Sequence, residues 1–392
     1  MRRKVFITVA EVSGDTHAAE LIRSFRQVDL EIQVDGIGGQ RMANAGANIV
    51  YESVGNAAMG WRGALRAVEV IGLLRQTRKR YEDPNLRPDL HICIDSSAMN
   101  LPFAKMAKSM HVPVLYYVAP QLWASREGRM KKLRADVDRV ACILPFEEQY
   151  YRQHGIDATF VGHPLFDELP DARERETPVG PRFPDAPPVI GIVPGSRRSE
   201  VIANLPHLLE VADAVLARFP AARFLIPTTG TVDPIVAEML SKQRDVDHFE
   251  HAIDSFDRLI PQCDLCLCKS GTSTLHVAAY AVPMIVVYRM SPLMWHGLAR
   301  WVVKTKKIAL VNILAGNIDL VPEFVPWYGS NDSVIQCALE LLRDPSKLTA
   351  QKQNLRDLIR GLDRRGASMN TAKLAMEMMN RSATPEPAQQ SP

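Results

Sequence analysis

Two short stretches of the chain combine small residues with charge in a way suited to holding an anion. Residues 189–200 read Val-Ile-Gly-Ile-Val-Pro-Gly-Ser-Arg-Arg-Ser-Glu: a buried strand over 189–193, a tight turn at Pro194-Gly195, then the start of a helix. Pro fixes φ at such a turn and Gly permits positive φ. Ser196 or Ser199 is placed to cap the helix, and Glu200 carries a charge favourable to its first turn. Backbone N–H groups at such a strand exit, beside Arg197 and Arg198, suit an anion, and a diphosphate is the commonest biological fit. The same residues also read as an ordinary strand-to-helix turn with two solvated arginines. A second stretch, Ser270-Gly271-Thr272-Ser273-Thr274-Leu275-His276, repeats the pattern after a strand-like run over 264–268. Both turns are expected at the carboxyl edge of one parallel sheet, where open α/β sheets bind ligands.

The elements that must position these turns alternate. In the second half, helix 205–218, strand 223–227, helix 234–242, strand 264–268, a helix from Thr274 and strand 284–288 follow one another. Alternating βα units imply a parallel sheet. The first half opens the same way: strand 5–10, a Gly-bearing loop with Ser13-Gly14-Asp15, and helix 18–25. Strands follow at 33–37, 90–94, 114–118 and 140–144. Asp95 ends the strand 90–94, where a carboxylate meets a ligand or caps the next helix. Between residues 178 and 188 stand five prolines, which marks a linker. The expected organisation is a first Rossmann-like domain over 1–180, a second over 186–350, a helix within 351–380 packing back on the first, and a disordered tail over 381–392.

Composition bounds the function. The chain has 392 residues, enough for two domains, and a net charge of +3 from 47 basic and 44 acidic side chains, too balanced to argue for nucleic acid. Six cysteines lack the second pair that a zinc site needs, and read as buried hydrophobes; no metal is expected. No apolar run reaches the roughly twenty residues of a membrane span, and no apolar leader follows Met1, so a cytosolic, soluble or peripheral protein is expected. Around 57–80, Met59, Trp61 and Leu65 are interleaved with Arg62, Arg66 and further basic residues, and the helix after Ser291-Pro292 carries Trp295, Trp301 and lysines. Both segments read either as membrane-surface helices or as helices buried on one side with solvated basic residues.

Pro194-Gly195-Ser196-Arg197 and Ser270-Gly271-Thr272-x-Thr274-Leu275, in this order, resemble the lipid-A-disaccharide synthases. Ser13-Gly14-Asp15, Asp95 with Asn100, Pro120-x-x-Trp123-Ala124-x-Arg126, Gly162-His163-Pro164 and Pro322-Glu323 extend the resemblance over nearly the whole chain. It implies two Rossmann-like domains facing across a cleft, the α/β architecture called GT-B. It further implies an inverting hexosyltransferase that moves 2,3-diacylglucosamine from its UDP donor to 2,3-diacylglucosamine 1-phosphate, giving the β-1,6 disaccharide 1-phosphate and UDP. No cofactor is implied.

Residue by residue, the resemblance gives Gly195, Ser196, Arg197, Ser270, Gly271, Thr272 and position 276 to UDP, and Asp95 to the base that takes the acceptor's proton. Ser13, Gly14, Asp15, Asn100, Gln121, Arg126, His163 and Glu323 would stand near the acceptor; Asp15 and His163 are equally read as structural. It assigns Met59, Trp61, Arg62, Leu65 and Arg66 to the inner face of the bacterial inner membrane, where the protein would act peripherally, as a monomer or a homodimer. Two departures stand out. The family's usual Asp-x-Pro-Asp-Phe-Asn is Asp95-Ser96-Ser97-Ala98-Met99-Asn100 here, and its usual glutamate is His276, whose neutral ring has one acceptor nitrogen. A diverged transferase with another nucleotide sugar, or a binding protein without catalysis, are the alternatives.

Overall fold

The computed structural model describes residues 2–53, 63–123, 129–171, 175, 186–289 and 307–383, with backbone alone for 63–69 and 382–383. The chain divides into two compact units, Met1–Glu168 with Arg364–Pro392, and Leu169–Asp363.

The first unit is a sheet of seven described strands: β1 Lys4–Thr8, β2 Gln33–Gly38, β3 Asn48–Glu52, β4 Leu90–Ile94, β5 Val114–Tyr117, β6 Arg139–Cys142 and β7 Ala158–Phe160. All pairings are parallel, in the order β3-β2-β1-β4-β5-β6-β7. Residues of β4 and β5 are buried throughout, as strands covered on both faces must be. The chain winds outward from β1 to β3, returns to β4 and winds the other way, so the gap between β1 and β4 is the topological switch point. Phe6, Tyr81, Phe103, Tyr116 and Tyr151 fill one side of this sheet. Helix Ala367–Ala383 packs on helix Val12–Val28. Its first turn is fixed by Asp167, whose carboxylate accepts from the Gly366 (2.6 Å), Ala367 (3.3 Å) and Ser368 (3.1 Å) N–H groups.

The second unit repeats the plan with β8 Val189–Val193, β9 Arg223–Thr228, β10 Phe249–Ile253, β11 Leu265–Lys269, β12 Met284–Arg289 and β13 Glu323–Trp327. The order is β10-β9-β8-β11-β12-β13, again parallel, with the switch point between β8 and β11. Cys93, Cys142, Cys263, Cys266 and Cys268 are buried and Cys337 partly so, all as free thiols.

Three readings change. Helix Val12–Val28 starts at once after β1, so Ser13, Gly14 and Asp15 lie in its first turn rather than in a loop. Helix Arg198–Arg218, by contrast, starts where the turn at Gly195 and the first-turn Glu200 placed it, and runs on through Pro206. The C-terminal stretch expected as one helix is two, Pro345–Leu362 in the second unit and Ala367–Ala383 in the first. Strands β3, β10 and β13 were not anticipated; β13 tolerates Pro326 because it lies at a sheet edge. Most of the Pro-rich linker, the basic-aromatic segment over 291–306 and most of the tail lie outside the described residues.

Candidate active site

The second unit brings the two small-residue turns together. Strands β8 and β11 are neighbours, with Val193 beside Cys268, and the turns leave both at the same edge. Gly195 has φ +126°, open to glycine alone at low cost, and a Cβ there would stand 2.6 Å from Glu200 Cβ and Oε2. The helix cap differs from expectation. Neither Ser196 nor Ser199 caps; Arg197 is the N-cap residue, and Glu200 reaches back to accept from the Ser196 (3.2 Å) and Arg197 (3.4 Å) N–H groups. Glu200 also accepts from Lys269 Nζ at 2.9 Å. Burial pushes its carboxyl up, but Lys269 and the Arg197 amide and charge outweigh that and hold it below the usual range. Arg197 is 66% exposed, with Nη1 3.9 Å from Glu200.

Around the other turn, Thr272 is exposed at the start of helix Thr272–Ala279. Ser270 is buried, with its N–H on the Val287 carbonyl and its hydroxyl on that of Ile308, so its side chain ties the turn to the body of the unit. His276 donates through Nε2 to Asp257 Oδ1 at 2.6 Å and stacks on Phe256, ring centroids 4.1 Å apart. The His276 hydrogen bond, with one from Tyr280, holds the Asp257 carboxyl below its ordinary range against a partial burial cost. The oxygens of Glu323 accept from the Ile308 and Ala309 N–H groups and from Asn312 Nδ2, at 2.8, 3.1 and 3.0 Å, which makes it the anchor of helix Leu310–Leu314.

In the first unit, the parallel sheet puts Ser13, Asp95, Asn100, Gln121 and His163 after the carboxyl ends of β1, β4, β5 and β7, on one edge. Ser13 Oγ lies 3.5 Å from Asp95 Oδ2 across the switch point. Gly14 lets the helix approach β1: a Cβ there would stand 2.4 Å from Val9 Cγ1. Asp95 and Ser96 take φ of +56° and +32°, a conformation costly for non-glycine residues. Asn100 holds that turn, donating to the Ile94 (2.8 Å) and Asp95 (2.9 Å) carbonyls and accepting from Thr8 Oγ1 (2.6 Å), while Tyr116 OH donates to the Asp95 carbonyl at 2.7 Å. The buried Asn100 therefore shapes the turn.

Asp15 is structural. At 2% exposure it accepts from the N–H groups of Gly39 (2.9 Å), Arg41 (3.0 Å) and Met42 (3.2 Å), capping helix Gln40–Asn44. His163 is buried, and burial, with a smaller effect of His17, pushes it down to about 3. Its Nδ1 accepts from the Leu165 N–H at 3.1 Å, so it is a neutral ring with one donor left. Gln121 is exposed. Trp123 packs edge-on against Phe146 and donates to the buried Glu147, whose carboxyl burial pushes up to about 7.

Arg126 lies outside the described residues, as do Met59, Trp61 and Arg62. Leu65 and Arg66 fall in helix Gly63–Glu82, described there by backbone alone. Further along it Ile71, Arg75, Arg78 and Lys79 are exposed, whereas Arg80 turns inward to pair with Asp35 at 2.5 Å. No helix among the described residues is long and apolar enough to cross a membrane.

Solved structures share the fold. A putative UDP-N-acetylglucosamine 2-epimerase from Listeria monocytogenes matches with a TM-score of 0.61 over 99% of both chains at 11% identity. The glycotransferase of kitacinnamycin matches at 0.60, 16% identity, over 96% of this chain and 100% of its own. S. aureus MnaA, in a structure with UDP, matches at 0.60, 11% identity, over 99% and 100%. These likenesses establish the α/β fold with two parallel sheets, shared by GT-B glycosyltransferases and epimerases. The family model described as lipid-A-disaccharide synthetase matches residues 5–378. The lipid-A-disaccharide synthases of Trichlorobacter lovleyi and Anaeromyxobacter dehalogenans are each 34% identical, over 97% and 96% of this chain and 98% and 97% of their own. The chain belongs to the lipid-A-disaccharide synthase family, and is a hexosyltransferase of lipid A biosynthesis.

Proposed function

We propose that the chain transfers 2,3-diacylglucosamine from its UDP donor to 2,3-diacylglucosamine 1-phosphate, with inversion, giving the β-1,6 disaccharide 1-phosphate and UDP. The observation that carries this reading is the pairing of β8 with β11, which sets Gly195 and Gly271 at one switch point with Arg197 and Lys269. The diphosphate lies on these turns. Amides and cations fixed in advance stabilise the charge that builds on it as it leaves. In the first unit, Asp95 takes the proton of the acceptor's 6-hydroxyl. That oxygen bonds to the anomeric carbon as the bond from that carbon to the diphosphate oxygen breaks, and the electron pair departs with UDP. UDP in the MnaA structure and UDP with glucose in that of Anabaena HepE support a nucleotide-sugar donor.

Both substrates carry acyl chains, which places the work at a membrane surface, on the cytoplasmic face of the inner membrane. The exposed Ile71 with Arg75, Arg78 and Lys79 suits an anionic interface. Purified protein mixed with the UDP donor and the acceptor is expected to yield the disaccharide by mass spectrometry, and other nucleotide sugars are expected to be poor. Asp95→Asn is expected to lower kcat by about 100-fold or more, with UDP affinity retained. Should UDP bind and no donor be consumed, the chain is a binding relative and the transferase reading falls.

A further inference from the structure

We propose that Lys269 is a second cationic contact for the donor's diphosphate, and that Glu200 is an internal anion holding that site until the diphosphate displaces it. The inference rests on the reading of this edge as the diphosphate site. Lys269 ends β11 with its side chain only 13% exposed, its Nζ 2.9 Å from Glu200 Oε1 and 5.1 Å from the centre of the Tyr288 ring. The same Nζ lies 3.5 Å from where a Cβ of Gly271 would stand. The ammonium therefore sits between the two turns, at van der Waals distance from a position that carries no side chain.

Glu200 gathers the groups that a ligand's anion would need: the Ser196 and Arg197 amides, the Lys269 ammonium and, at 3.9 Å, the Arg197 guanidinium. It holds them unevenly. The Lys269 contact is well formed, the Ser196 amide at 3.2 Å stands at the upper limit of an N–H···O bond, the Arg197 amide at 3.4 Å is beyond it, and the Arg197 guanidinium is beyond hydrogen-bond distance. A diphosphate brings more charge and more oxygens than one carboxylate, so it can satisfy the same donors at shorter range. A Lys this far from water is costly without a counter-ion. Glu200 supplies one, and its flexible side chain can swing away when phosphate oxygens replace it.

The test is calorimetric titration of the full chain with UDP and with inorganic pyrophosphate, for wild type, Lys269→Met and Glu200→Gln, each checked for folding by thermal melting. Lys269→Met is expected to weaken both ligands by about tenfold. Glu200→Gln is expected to tighten both by about threefold or more, because no internal anion has to leave. Glu200→Asp, with a shorter reach, must also bind more tightly and serves if the glutamine variant does not fold. A Glu200 variant that binds as wild type or more weakly makes Glu200 a plain helix anchor, and a Lys269→Met protein that binds as wild type leaves Lys269 structural; either result overturns the proposal. Wild-type protein that binds neither UDP nor pyrophosphate overturns instead the donor-site reading beneath it.

Discussion

His276 brings a carboxylate with it. It stands four residues into helix Thr272–Ala279, about 6 Å along the axis from Thr272 at 1.5 Å per residue. There it gives its Nε2–H to Asp257, half exposed and held ionised by that bond. A diphosphate on Thr272 would place the nucleoside's hydroxyls about one helical turn away, where Asp257 offers the acceptor oxygens that a lone imidazole lacks. Asp257→Asn is expected to weaken UDP binding by about tenfold while leaving pyrophosphate unaffected, read by calorimetry; equal loss for both ligands contradicts this role. The turns at Gly195 and Gly271 and the place of Asp95 at the end of β4 were legible as structure, because glycine turns and strand-end carboxylates carry local signals. The Asp257–His276 and Lys269–Glu200 contacts were not, since they span 19 and 69 residues of chain. The contacts of Asp15, Ser270 and Glu323 were hidden for the converse reason. Their types suit ligands, and only the fold shows that backbone N–H groups and a carbonyl have already taken them.

Among elements, β4 joins the site to the fold's stability. His91 within it is fully buried between Thr8 Oγ1, 3.1 Å from Nε2, and Tyr81 OH, 2.7 Å from Nδ1, and burial pushes it down to about 3. His17 is likewise pushed down by burial, to about 4, against a weaker opposing effect of Asp167. A depressed histidine stabilises the fold above its unfolded value near 6.5, and that stability is lost as pH falls through the folded value. The melting temperature is therefore expected to fall from pH 6.5 towards pH 4, and His91→Gln, which keeps a donor and an acceptor but cannot titrate, is expected to make the fall shallower. An unchanged slope contradicts the assignment. The buried strand β8 was readable as a continuous apolar run and β4 as one interrupted only by His91, whereas β3 and β10 were not readable, because alternating or half-exposed edge strands resemble loops. The start of helix Val12–Val28 was set too late because Ser-Gly-Asp reads as turn chemistry. Packing of Gly14 on Val9 makes it a helical turn.

For the whole molecule, the plan is one motif used twice: a parallel sheet whose strand order reverses beside its first strand, with ligand-facing turns at the reversal. The alternation of βα units made this legible. The division of the chain was less so, because the boundaries fall at residues 168/169 and 363/364, and the last helix rejoins the first unit. Asp167, almost two hundred residues before the N–H groups it caps, ties that helix down, a connection no local pattern carries.

The central claim is that a diphosphate is held at the second switch point, and the measurement that tests it most directly is a comparative titration. Uridine, UMP and UDP are titrated calorimetrically into wild type and Arg197→Ala. The expected result is affinity that climbs from uridine to UDP, weakens with added salt, and drops about tenfold for UDP but not for uridine in Arg197→Ala. UDP binding no tighter than uridine, or an Arg197→Ala protein that binds UDP as well as wild type, would contradict it.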